Sequence, residues 1–152
     1  AVYGFATVGA FAVLTLVRDA GGEATHLAKW AGLGKRAPVL AATFALFLLA
    51  FAGIPLTSGF VGKLVVFSAA IEAGALPLVI VGVVASAIAA FFYVRVIVLM
   101  FFSEPTSDGP TVVVPSAWTT VGIALGVAAT VALGVLPGPL LELAQHASVF
   151  VR

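Results

Sequence analysis

The chain has 152 residues, of which 62% are hydrophobic and 9% charged, and its mean hydropathy is +1.26. Soluble domains carry about 25% charged residues, so this composition excludes an ordinary water-soluble domain and implies a polytopic membrane protein. A net charge of +1 with scattered basic residues excludes a nucleic-acid interface, and the absence of cysteine excludes disulfides, iron–sulfur ligation and thiolate zinc sites in this chain.

The opening Ala1-Val2-Tyr3-Gly4 has no initiator Met and no charged region ahead of the apolar run. It is not a signal peptide, and reads as the inside of a helix in a longer protein. Residues 1–17 form a first span, short of the ~20 residues that a bilayer core requires. Its polar or small positions, Tyr3, Gly4, Thr7 and Thr15, read as close helix packing.

Residues 18–37 turn polar and hold four of the seven basic residues against two acids, which places this loop in the cytoplasm. Trp30 reads as an interface anchor and His26 as a solvated loop residue. His26 and His146 are too far apart to suggest a metal site, and none is expected.

Pro38 suits a first helical position, and the helix runs to Ala52. The stretch Gly53-Ile54-Pro55-Leu56-Thr57-Ser58-Gly59-Phe60-Val61-Gly62-Lys63 then interrupts it. Gly53, Pro55, Gly59 and Gly62 break a helix, and Lys63 stands beside the break. Helix resumes to Gly74. Two topologies fit: spans at 38–55 and 58–74, or one discontinuous crossing over 38–74. The second half has only about 15 residues, and no polar loop separates the halves, which favours one crossing. Unwound backbone at membrane depth is tolerated where it is enclosed by protein or lines a wet cavity, and it marks ion sites in transporters.

Residues 75–102 contain a span, taken as 77–102. Ser86 and Tyr93 are seven apart and share a face with Ala89 and Ala90, giving a weakly polar stripe that can hold water. Arg95 points to the other side and reads as an interface anchor, with a relay role as the alternative. An acidic loop over 103–116 follows, on the same side as the basic loop if 38–74 crosses once. The last span covers 116–136, where Gly122 and Gly126 have the spacing of a helix-packing motif. Pro137-Gly138-Pro139 ends it, and 140–151 reads as a short amphipathic surface helix.

The fold class is therefore all-α, a single transmembrane helical bundle of about four spans with one discontinuous helix. No catalytic triad, paired in-membrane carboxylates or dinucleotide fingerprint is present. Gly59 to Lys63 lacks the spacing of a phosphate loop. The chemistry that remains is proton or cation handling by Lys63, since an ionisable residue inside a membrane is a functional-site hypothesis. Glu72 lies nine residues further on, about 900° around the helix, and is not its intrahelical partner.

Ala52 to Phe67, Ser86-Ala87-Ile88-Ala89-Ala90-Phe91-Phe92-Tyr93-Val94-Arg95-Val96 and the ending Leu133 to Leu140 closely resemble the antiporter-like membrane subunits of bacterial respiratory complex I (NADH-quinone oxidoreductase), and among them subunit N. The resemblance covers the whole chain as the C-terminal portion of a longer protein. It implies a fold of fourteen spans with two inverted repeats, each repeat holding one discontinuous helix. It also implies a bacterial inner-membrane location, Lys63 as a proton carrier, and lipid and the other membrane and peripheral subunits as partners. FMN, iron–sulfur clusters and quinone would belong to partner subunits, with no cofactor in this chain. The family's aromatic run before the arginine is Tyr-rich, whereas Phe91 and Phe92 precede Tyr93 here. A cation/proton antiporter subunit of the same superfamily and a scaffold segment without transport are the alternatives.

Overall fold

A computed structural model describes residues 2–19, 21–105, 109–136 and 138. The surface helix expected over 140–151, with His146, lies outside them. The described chain is mostly helical: α1 (Val2–Leu16), α2 (Leu33–Arg36), α3 (Pro38–Ala52), α4 (Ser58–Glu72), α5 (Leu76–Phe102) and α6 (Ala117–Val135). α5 and α6 are long and apolar enough to cross a membrane. In α5 only Val79 and Met100 are buried, and in α6 only Gly126 and Thr130. Apolar helices so little covered by their own chain suit a membrane or neighbouring helices better than water.

α3 is the central helix. Ala41, Phe44, Ala45, Phe47, Leu48 and Ala50 are buried at spacings of one to three residues, so several of its faces meet neighbours. Phe47 is fully buried. Two helix glycines make room for its ring: a Cβ at Gly126 would lie 3.2 Å from it, and one at Gly9 would overlap it. α1 and α6 meet at the same level, where Gly126 faces the Phe5 carbonyl and the Gly9 Cα.

The polar segment 18–37 is more ordered than a loop. β1 (Val17–Asp19) pairs antiparallel with β2 (Gly22–Glu23) in the register Arg18↔Glu23 and Asp19↔Gly22. On its other side it pairs with β3 (Thr111–Val112), in the register Val17↔Val112 and Arg18↔Thr111. Asp19 Oδ1 accepts from the Gly21 amide at 2.9 Å and shapes the turn. This small sheet was not expected, because strands of two or three residues leave no alternating pattern.

Trp30 departs from its reading as an interface anchor. It is buried in a 3-10 turn over Leu27–Trp30, its Nε1 donates to the Ala24 carbonyl at 3.0 Å, and its ring lies 5.0 Å from that of Phe44. A buried indole is stable when its N–H finds an acceptor, and the loop supplies one. Trp118, in the first turn of α6, is instead 86% exposed.

Both loops gather at one end of the bundle. Besides the β1–β3 pairing, Lys35 and Glu104 form an ion pair at 2.8 Å, and the Gly32 amide donates to the Leu99 carbonyl at 3.1 Å. From there α5 runs antiparallel to α3 and then to α4. Tyr93 meets Phe51 of α3, Ser86 and Ala90 lie beside Lys63 of α4, and Gly82 faces Phe67 of α4. One helix of 27 residues, roughly 40 Å long, thus flanks both halves of the interrupted segment.

Candidate functional site

The interruption is confined to Gly53–Thr57, shorter than the expected 53–62. Gly53 has φ 80° in the left-handed region, which glycine adopts without steric cost. Its amide donates to the Ala50 carbonyl and the Ile54 amide donates to the Leu49 carbonyl, each at 3.1 Å, closing α3 with a Schellman turn. Pro55 is exposed within the break. Leu56 is the only non-glycine among the described residues with positive φ, at 72°. A bulky side chain there marks local strain held by its surroundings. Thr57 Oγ1 donates to the Ile54 carbonyl at 2.6 Å, and α4 begins at Ser58.

A helix leaves its last four carbonyls without intrahelical donors. In α3 these belong to Leu49, Ala50, Phe51 and Ala52. The Schellman turn occupies the first two. Lys63 Nζ takes the others, donating to Phe51 at 3.1 Å and Ala52 at 2.8 Å. The ammonium therefore sits at the negative end of the α3 dipole. Among the described residues no carboxylate pairs with it.

Gly53 and Gly59 make this approach possible. A Cβ at Gly53 would lie 2.8 Å from Lys63 Cδ and 3.1 Å from Nζ. A Cβ at Gly59 would overlap the Ala50 carbonyl, so the start of α4 lies directly against the last turn of α3. Gly59 and Gly62 are both helical residues of α4, and Gly59 serves close approach there. The Lys63 side chain opens into a cleft of about 250 Å3 lined by Gly53, Phe60, Phe67, Ser86 and Ala90 among others. Ser86 is the hydroxyl on its α5 wall.

Tyr93 is elsewhere. Its ring packs on Phe51 at 5.9 Å and does not line the cleft. Ser86 and Tyr93 share a face of α5 but are about two turns apart, and the end of α3 lies between their levels. Tyr3, read as a packing position, reaches the break instead. It stacks on Phe51 at 6.4 Å, and its hydroxyl donates to the Gly59 carbonyl at 3.4 Å. Sequence periodicity gives no sign of this contact, because it joins residues 56 apart.

A family profile described as "NADH:quinone oxidoreductase/Mrp antiporter, TM" matches residues 1–89, which include the break and Lys63. The chain belongs to that family. A Rhodococcus opacus protein named NADH-quinone oxidoreductase subunit N is 70% identical over 99% of the chain, and the chain covers 28% of it. A Streptomyces griseus protein named NADH-quinone oxidoreductase subunit N 3 is 71% identical, with 99% of the chain and 27% of that protein covered. The chain thus spans little more than a quarter of the length of these relatives. A chain in the structure of respiratory complex I from Thermus thermophilus with bound aureothin superposes with TM-score 0.77 at 31% identity, covering 91% of this chain and 31% of that one.

The other candidate positions of this antiporter-like family member lie away from the cleft. Arg95 is exposed on α5. Gly126 packs against α1, whereas a Cβ at Gly122 would meet nothing within 4 Å. Of that pair only Gly126 lies in a close helix contact. Gly134, two turns beyond Gly126, packs against Leu56 and Thr57 and holds α6 to the break. Glu72 is exposed at the end of α4. Among the described residues no group of His, Asp or Glu is placed to hold a metal.

Proposed function

We propose that the chain is the C-terminal part of a proton-translocating membrane subunit of NADH:quinone oxidoreductase, in which Lys63 carries the proton. The carrying observation is the pair of hydrogen bonds from Lys63 Nζ to the Phe51 and Ala52 carbonyls at the end of a half-helix. Half-helix ends at membrane depth are the places where backbone carbonyls receive a cation or proton. A lysine held only by carbonyls can release its proton and remain hydrogen-bonded through water, whereas one locked to a carboxylate is held charged.

In this reading α3 and α4 form one discontinuous crossing, the 18–37 and 103–116 loops face the cytoplasm, and the membrane is the bacterial inner membrane. The arrangement of α5 along both half-helices and the gathering of both loops at one end support that topology. Ser86 is the water-holding neighbour of Lys63, and Tyr93 acts through Phe51 packing. Arg95 anchors α5 at the interface. Partner subunits carry FMN, iron–sulfur clusters and quinone, and the rest of the surface meets lipid or other membrane subunits.

The test is Lys63→Ala in the intact complex, with proton pumping and quinone reduction measured together. Loss of pumping in an assembled complex supports the role, and unchanged pumping removes it. A second reading, a cation/proton antiporter subunit, is favoured by the family description, which names Mrp antiporters beside the oxidoreductase. Co-purification with antiporter partners and sodium-dependent exchange would select it.

A further inference from the structure

Thr130 is the residue whose side-chain oxygen is buried without a hydrogen-bond partner among the described residues, and it is 1% exposed. Helical threonines commonly return the hydroxyl to a carbonyl about one turn back. Thr7 does so to Tyr3 at 2.8 Å and Thr120 to Ser116 at 3.1 Å. Thr130 does not, which leaves its hydroxyl unsatisfied among the described residues.

Its position is set by its neighbours on α6. Gly126, Thr130 and Gly134 recur every four residues and share one stripe. At Gly126 that stripe presses on the Phe5 carbonyl of α1, with a Cβ placed at 3.0 Å. At Gly134 a Cβ would overlap the Leu56 carbonyl and lie 2.5 Å from Thr57 Cα. Thr130 is therefore enclosed between the α1 contact and the break, where Thr57 and Ser58 are also buried polar residues. Ser58 and Val61 are buried on the side of α4 away from Lys63, whose cleft is walled by α5.

We propose that Thr130 binds a buried water between α6 and the break, giving the proton path a polar contact on the α6 side of α4. Buried polar groups in apolar surroundings are satisfied by protein or by ordered water with two to four partners. The Leu56 carbonyl and Thr57, which meet Gly134 one turn further along the same stripe, and the buried Ser58 that opens α4 are the polar groups on that side of the break. In the left-handed conformation of Leu56, the unwound segment is held by its neighbours, and a bridging water would tie it to α6. The proposal rests on the proton-translocating reading of Lys63.

The experiment uses the intact complex. A map fine enough to show ordered water should place one within hydrogen-bond distance of Thr130 Oγ1. Thr130→Val, which keeps shape and removes the hydroxyl, should lower protons pumped per electron at least two-fold while quinone reduction continues, and Thr130→Ser should restore it. A Thr130 hydroxyl bonded only to its own helix, or full pumping by Thr130→Val, would overturn the proposal. Should Thr130→Val not assemble, the unsubstituted map decides. If Lys63→Ala abolishes pumping and Thr130→Val does not, only the Thr130 assignment fails; if Lys63→Ala pumps normally, the function assigned to Lys63 fails first.

Discussion

Lys63, in the second turn of α4, donates to the carbonyl of Ala52, the last residue of α3, at 2.8 Å. With its second bond to Phe51, the side chain completes the hydrogen bonding of a helix end that the Schellman turn leaves half satisfied. The group that stabilises the break is thus the one proposed to carry a proton through it, and that proposal joins structure and function at a single nitrogen.

Gly53→Ala should disrupt this coupling. Alanine in the left-handed region costs about 1–2 kcal/mol, and its Cβ would fall 2.8 Å from Lys63 Cδ, forcing the lysine aside. The expected outcome is an assembled complex of lower thermal stability with impaired pumping. Thermal unfolding of the membrane arm and a proton-flux assay check it.

The break was legible in the sequence because Gly53 and Pro55 interrupt an otherwise continuous apolar helix, and the basic loop was legible from its charges. The partners of Lys63 were not. They lie 11 and 12 residues back across an irregular segment, and helical periodicity does not extend through a left-handed turn. The contact of Tyr3 with the break was missed for a related reason: its partners Gly59 and Phe51 lie on other helices, and an isolated hydroxyl in an apolar span looks like packing, as does that of Thr130. Trp30 was misread because a loop tryptophan in a membrane protein resembles an anchor until a buried acceptor, here the Ala24 carbonyl, is seen.

The two glycines of the α6 motif should respond differently. Gly126→Leu places a side chain against the Phe5 carbonyl and the Phe47 ring, and should reduce the yield of assembled complex severely. Gly122→Leu meets open space within the chain and should be tolerated unless another subunit covers that face. Blue-native electrophoresis of the variants distinguishes the two.

Lys35 and Glu104 bridge the loops in the open, with side chains 50% and 87% exposed. Exposed pairs contribute about 0–1 kcal/mol. Neutralising either should leave the thermal midpoint nearly unchanged and pumping intact, with any small effect disappearing at high salt.

Ser86→Ala should slow proton transfer, since it removes the hydroxyl from the wall of the Lys63 cleft, whereas Tyr93→Phe keeps the ring packed on Phe51 and should have little effect. Pumping rates at matched quinone-reduction rates separate these outcomes. Equal loss from both would instead indicate a relay extending along α5.

The most direct measurement is the number of protons moved per electron by the intact complex in sealed vesicles, comparing Lys63→Met with the unsubstituted protein. Methionine keeps much of the length and apolar stem of lysine but can neither hold a proton nor donate to Phe51 and Ala52. The expected result is an assembled complex whose proton yield per electron falls sharply. An assembled Lys63→Met complex with an unchanged proton yield would contradict it.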